Sequence, residues 1–505
     1  MRGLQIIWIL LLPFVLGRCY EDKGTYDYKE MNKPLVTGLE GSYPVGLGDE
    51  LNIRPEITFP LNDDSNIKYE WNIGGKVVSE EKNLYIPQYS GEIGTTYCSF
   101  NIINETEKVT YMNTFNLRVS PTFSTGWLIL SEKDGNSGIS YIRPTKQDKE
   151  GKVEYVFEEF PDAYFKNTGE ILGKKPVKLM EHWCYDYSVM GEILVLNGEG
   201  DCVELDGGAL TKKVTVKQEF MGEAYPKGFK AKDATFSFNN SYLISEDGKM
   251  YSRKSEDVKN YHTGLYGQEP VYVADSLSIK FAIPAKFMST YHMLVYDGYN
   301  RRLIWIAYDT YQPGKINPLV YSATDPKFTN LSNMGDKDLV YCGYYKVSDF
   351  ATSGYFALLK SDAGQYYVRD FKLYTYIFSA MVTDNYEMEF PGANLIRPDS
   401  KFQSLPLRKY FFFSSDDVLY YYDKATLEKA PKEYVGFKGV KITSIQYSAD
   451  NNQIGVGLEN GKFYIYDITD KSLASGEPQL VYEAETNFGK VVDVIYKYGT
   501  LLNYM

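Results

Sequence analysis

After Pro121 the chain repeats one pattern seven times: an apolar strand, a tight polar turn, and a second apolar strand. The units are GWLILS-EKDGNSG-ISYIRP from Gly126, EILVLN-GEG-DCVEL from Glu192, SYLIS-EDG-KMYSR from Ser241, HMLVY-DGYNR-RLIWI from His292, YFALLK-SDAG-QYYVRDF from Tyr355, YFFFS-SDD-VLYYYD from Tyr410 and QIGVGL-ENG-KFYIYD from Gln453. Short apolar runs joined by Asp, Asn and Gly predict β-hairpins, because those residues tolerate positive φ or close the turn with their side chains. The apolar strands start at Leu128, Ile193, Leu243, Leu294, Phe356, Phe411 and Ile454, at intervals of 43 to 65 residues. Propeller blades repeat at roughly 40–50 residues plus their connections. A lone four-stranded blade cannot bury both faces, so blades stack in a ring. Residues 121–505 are therefore predicted to form a seven-bladed β-propeller. The strand at Val491–Tyr496 follows the outer strand of the last blade and has no place there, so it is expected to close the ring as the inner strand of the first. A six-bladed ring with an extra hairpin and two packed sandwiches are alternatives.

Ahead of this region, residues 38–120 show short alternating strands bounded by turns, the pattern of a β-sandwich. Tyr69-Glu70-Trp71-Asn72-Ile73 puts a tryptophan on a central strand, where it is assigned to the core. Tyr97-Cys98-Ser99-Phe100-Asn101-Ile102 reads as a later strand, with Tyr97 placed like a tyrosine corner. No early-strand cysteine is available to pair with Cys98. The segment resembles the PKD-like branch of the immunoglobulin-type sandwiches.

The N-terminus is of a different kind. Arg2 precedes an apolar run of 13 residues from Leu4 to Leu16, shorter than the roughly 20 residues a spanning helix needs, so residues 1–18 are read as a secretory signal. Leu16-Gly17-Arg18-Cys19 resembles a bacterial lipoprotein signal, which implies lipidation of Cys19; Arg18 departs from the small residue that pattern has there. The acidic Glu21-Asp22 that follows resembles the tag that directs lipoproteins of Bacteroidota to the outer face of the outer membrane. Residues 19–37 then form a lipidated cysteine and tether.

Charge and composition narrow the options. Lys and Arg total 54 against 66 Asp and Glu, a net charge of -12, which lacks the basic footprint of a nucleic-acid binder. Tyr, at 47, outnumbers Gly at 42 and Phe at 27. Such a Tyr content suits either ordinary pleated sheet or a surface that contacts sugars or peptides. Cys184 and Cys202 are the one pair placed to bridge; buried free thiols are the other reading.

No GxSxG elbow, Walker A, HExxH or EF-hand motif occurs, and the three histidines at 182, 262 and 292 are not spaced as a ligand pair. No metal or cofactor is expected and no catalytic residue is assigned. Two carboxylates suffice for a glycosidase, so a surface glycosidase or lyase stands as an alternative. The turns and the connections 206–231, 253–279, 307–338 and 370–392 are the expected binding regions. The ligand-contact candidates are Tyr261, His262 and Tyr266 in one loop, Tyr299, Arg301 and Arg302 at one turn, and Trp183 on a predicted inner strand, where alternate residues are expected to face the channel. Aromatic faces stack on sugars or peptide side chains, and guanidinium forks grip carboxylates. Each also has a plain structural reading: a surface loop, a solvated turn and packing between blades. Trp127 and Trp305 are assigned to the core.

Signal, lipid cysteine, acidic tag, sandwich and Tyr-rich propeller together resemble the PKD-like-family surface lipoproteins of Bacteroidota encoded beside SusC/SusD-type outer-membrane importers. The resemblance implies a non-catalytic accessory subunit for uptake of an oligosaccharide or oligopeptide. Its partners would be the importer and that ligand, with membrane contact through the lipid alone. A purely structural importer subunit is a further alternative.

Overall fold

The period-two pleat of the strands puts apolar side chains on shared faces, and the computed structural model is all-β. It describes residues 31–504 apart from 150–151, 185, 187–188, 238–239, 256, 258–260, 273–275, 284–291, 308–315, 320, 322–324, 349–351 and 377–378. The signal segment and Cys19 lie outside the described residues. The chain divides into two compact units at Ser120/Pro121. No described helix is long and apolar enough to cross a membrane.

In the first unit a five-stranded sheet runs in the order Ser42–Gly46, Val109–Ser120, Gly94–Asn104, Ile67–Ile73, Lys76–Ser79, with the first pair parallel. Two short ladders, Leu35–Thr37 with Glu56–Thr58 and Leu51–Ile53 with Leu84–Ile86, contribute to the same core. Trp71 is at its centre, fully buried, stacked on Phe100 at 4.1 Å, with its indole N–H donating to the Glu81 carbonyl at 3.0 Å. Tyr97 is not a tyrosine corner: it is 62% exposed. Cys98 and Phe100 face the core, so the pleat turns Tyr97 outward.

In the second unit each of the seven hairpins is an antiparallel pair. Flanking strands extend them into sheets. The first sheet runs Lys490–Lys497, Gly126–Lys133, Asn136–Lys149, Lys152–Phe160, so its leading strand comes from the far end of the chain. The second runs Lys174–His182, Glu192–Glu199, Val203–Asp206, Lys212–Thr215 and touches the first through one pairing, Asn136 opposite Lys174. The third has Ala231–Ser237, Asn240–Ser245 and Met250–Lys254, and the fourth Ile279–Ile283, His292–Asp297, Arg302–Ala307 and Ile316–Pro318. The fifth is Lys337–Lys346, Thr352–Ser361, Tyr366–Tyr376, Ser379–Glu389; the sixth Phe402–Ser404, Tyr410–Ser415, Val418–Asp423, Lys432–Gly436. The seventh is Ile442–Tyr447, Gln453–Leu458, Phe463–Asp467, Gln479–Glu483. Leading strands of successive sheets pack together, and that of the seventh packs on Lys490–Lys497.

Residues 370–392, read from sequence as a connection, are mostly the outer hairpin of the fifth sheet. The strand read at QYYVRDF continues to Tyr376, and its partner Ser379–Glu389 was missed because residues 380–389 are half-buried or exposed and mix polar with apolar types. The four cysteines among the described residues are free and buried.

The seam between the seventh and first sheets requires glycine. A Cβ on Gly457 would lie 2.3 Å from Val491 Cγ1, and one on Gly455 would lie 2.7 Å from the rings of Trp127 and Phe463. Trp127 is fully buried there with Ile129, Val491 and Val494. Removing residues 490–505 is expected to abolish the single cooperative unfolding transition of the second unit. Trp127→Ala is expected to lower its stability by about 3–5 kcal/mol, measured by urea denaturation; an unchanged transition in the truncated chain would contradict this role.

Candidate functional site

At the end of the second sheet's leading strand, Glu181 is buried and accepts hydrogen bonds from the backbone N–H groups of Tyr498 at 2.6 Å and Gly499 at 2.9 Å. The fully buried ammonium of Lys497 is 3.1 Å away. Trp183 donates its indole N–H to the Gly499 carbonyl at 2.9 Å and stacks on Tyr504 at 4.4 Å, in the short helix Leu501–Tyr504. At 3% exposure Trp183 offers no free face. Its work is to dock the end of the chain.

His262 lies in the turn Tyr261–Thr263 and reaches into the interior. Its ring nitrogens are each 2.8 Å from a carboxylate, Nε2 from Glu192 and Nδ1 from Glu219. Glu219 also pairs with buried Arg253, whose guanidinium sits 4.7 Å above the ring of Tyr266. Lys213 adds a second cation at 2.9 Å from Glu192, and His182 pairs with Glu204 at 2.8 Å. Burial opposes a charge on His262, but its two carboxylate partners outweigh that and raise its pKa to about 9. Tyr266 is 2% exposed and belongs to this interior. The side chain of Tyr261 lies outside the described residues.

His182, Glu192 and Glu204 bring donor atoms within 4.8 Å of one another, close enough to invite a divalent cation. Here, though, Arg253, Lys213 and protonated His262 stand against Glu192, Glu204 and Glu219, so the cluster balances its charge from its own residues.

Tyr299 is 71% exposed at its turn, but the neighbouring guanidinium groups are engaged. Arg301 donates to both oxygens of Asp362 at 2.8 and 3.0 Å, tying the turns of the fourth and fifth sheets together. Arg302 donates through Nε to buried Asp297 at 3.0 Å.

A further concavity was not singled out from sequence. It is a cleft of about 630 Å³ lined by residues of the fifth and sixth sheets and their turns, within the size range of small-molecule sites. Tyr345, Lys346, Asp370, Asn385 and Tyr386 come from the fifth sheet, and Arg408, Lys409 and Lys424 from the turns of the sixth. Asp370 accepts hydrogen bonds from the Tyr345 hydroxyl at 2.8 Å and the Asn385 amide at 3.0 Å. Burial raises the Asp370 pKa, opposed by those bonds. Lys424 donates to the Ser404 hydroxyl at 2.9 Å, and burial pulls its ammonium pKa down to about 8. These residues come from segments scattered between 345 and 425, so no local spacing announces them. The one available signal was the concentration of Lys and Arg near two turns of an acidic chain.

The family model described as PKD-like family matches residues 19–176, covering the first unit and running into the second. No curated protein matches the chain. Many solved structures are similar to it, among them two at low identity. One is a quinonprotein alcohol dehydrogenase-like protein from Bacteroides thetaiotaomicron, 14% identical with a TM-score of 0.40, covering 92% of this chain and 99% of its own. The other is the Cps50 (Swd1) beta-propeller domain of Myceliophteria thermophila, 9% identical with a TM-score of 0.36, covering 63% and 92%. Likenesses this slight carry no functional argument.

Because the folded His262 pKa lies above the usual 6.5, its contribution to stability is complete below pH 6.5 and is lost as pH rises through about 9. Thermal unfolding of His262→Gln is therefore expected several degrees below wild type at pH 6, with the gap shrinking towards pH 9. A pH-independent gap would contradict this assignment.

Proposed function

We propose that the protein is a non-catalytic, lipid-anchored binding subunit on the outer face of the outer membrane, serving a SusC/SusD-type importer of oligosaccharide or oligopeptide. In this reading the second unit is a seven-bladed propeller closed by Lys490–Lys497, and it presents the ligand. The observation that carries the binding role is the cleft of about 630 Å³, where two tyrosines, an amide and several charged side chains converge. Aromatic bodies with hydrogen-bonding rims are what a soluble, polar nutrient requires. The succession of packed leading strands, returning from the seventh sheet to Lys490–Lys497, supports the ring. The PKD-like match, which begins at Cys19, supports the resemblance to surface lipoproteins.

Tethering to the membrane beside the importer raises the effective concentration of the binding surface there. Weak individual contacts then suffice, and they favour release towards the pore. Immunoprecipitation from gently solubilised outer membranes is expected to recover an importer pair with the wild-type protein. Cys19→Ala is expected to lose metabolic labelling by an alkyne fatty acid and to recover the pair far less well. Recovery of the wild-type protein alone would overturn the importer association, and labelling of Cys19→Ala would overturn the anchor.

A further inference from the structure

The chain has a net charge of -12, yet the cleft between the fifth and sixth sheets is lined by four cationic residues, Lys346, Arg408, Lys409 and Lys424, and one acid, Asp370. Local reversal of the net sign marks a place prepared for an anion. The cations are not equivalent. Arg408 is held by Asp470 at 2.5 Å and the Asn451 carbonyl at 3.1 Å, and Lys409 by Asp423 at 2.8 Å. Lys424 forms no ion pair among the described residues. Asp370 and Asp423 are the acids near enough to act on it, and both are committed elsewhere, Asp370 to Tyr345 and Asn385, Asp423 to Lys409. Lys424 is half-buried, with its ammonium 5.5 Å from the Tyr345 ring and 5.4 Å from the Phe356 ring, and an incoming carboxylate would give it an ion-pair partner. Among the described residues the buried Tyr386 hydroxyl has no hydrogen-bond partner.

The side chains of the walls suit a sugar. Peptides that add to a sheet need free backbone donors, and four of those along the rim are engaged within the protein. Lys346 N–H donates to the Pro406 carbonyl and Lys424 N–H to the Lys409 carbonyl, both at 2.9 Å. Leu407 N–H donates to the Asn451 side chain at 3.0 Å and Ala425 N–H to the Asp423 side chain at 2.9 Å. What remains is a set of side chains suited to ring faces and hydroxyl groups: Tyr345, Tyr386, Asn385, Asp370 and Ser348.

We propose that this cleft binds an acidic glycan, with a uronate carboxylate paired to Lys424 and a sugar ring lying against Tyr345 and Tyr386. This rests on the reading of the second unit as the ligand-binding part of the protein. The probes are a uronic-acid tetrasaccharide, its methyl ester and an acidic tetrapeptide, titrated calorimetrically into the full mature chain.

The expected result is binding of the acidic sugar about tenfold or more tighter than its ester. Lys424→Gln should erase that preference while leaving binding of the ester, and Lys424→Arg should restore much of it. The thermal transition of each variant checks that it is folded, and Tyr386→Phe, which keeps the ring, provides a second probe with an expected loss of severalfold. Equal binding of acid and ester by the wild type, or a preference that survives Lys424→Gln, would overturn the carboxylate assignment and leave the binding role standing. Binding of the peptide in place of the sugars would overturn the glycan assignment. Binding of none of the three would overturn this proposal, and failure of neutral glycans and peptides as well would remove the binding role with it.

Discussion

Everything in the second unit depends on one long-range pairing, that of Lys490–Lys497 with Gly126–Lys133. Trp127 opposite Tyr496 and Ile129 opposite Val494 join positions some 370 residues apart in register. This C-terminal strand also touches the leading strands of the second and seventh sheets. It therefore pairs the edge of Gly126–Lys133, packs with Trp127 and supplies a wall for two neighbours at once. Beyond it, Glu181 and Trp183 fasten residues 497–499, and the buried Lys497–Glu181 pair lets a lysine enter the interior without leaving a bare charge. Contacts this distant in sequence yield their energy only after most of the chain is in place.

Burial of charge follows a second rule among the described residues. Arg369, fully buried, is met by Asp384 at 2.6 Å and Glu387 at 2.9 Å, and Glu387 is shared with Lys337. Arg253 and His262 are matched by Glu219 and Glu192, and Arg302 by Asp297. These groups hold turns and strand ends together. Lys424, half-buried in the cleft, forms no ion pair among the described residues. The contrast with the paired interior charges is what singles it out for a ligand.

The sheets were legible in the sequence because each hairpin carries its own evidence: two apolar runs and a turn of Asp, Asn or Gly within about fifteen residues. The surplus strand at Val491–Tyr496 could be recognised by counting. Outer strands were less visible. Residues 380–389 of the strand Ser379–Glu389 are half-buried or exposed, so its polar residues imitate a loop. Site residues were the least legible. Trp183, His262 and Tyr266 stood out as rare or aromatic residues in irregular segments, and burial turned them into packing and ion-pair partners. Tyr345, Asp370, Tyr386 and Lys424 looked like ordinary strand and turn residues, because their meaning lies in the approach of two sheets that no local pattern encodes.

Native-state hydrogen exchange, resolved to single amides, tests the central constraint most directly. If the terminal strand is integral, amides of residues 491–496 and of Trp127–Leu130 will exchange at one common rate set by global unfolding of the second unit. Exchange of residues 491–496 orders of magnitude faster than their partners would show a strand that frays independently, and the account of a unit locked by its own C-terminal end would fail.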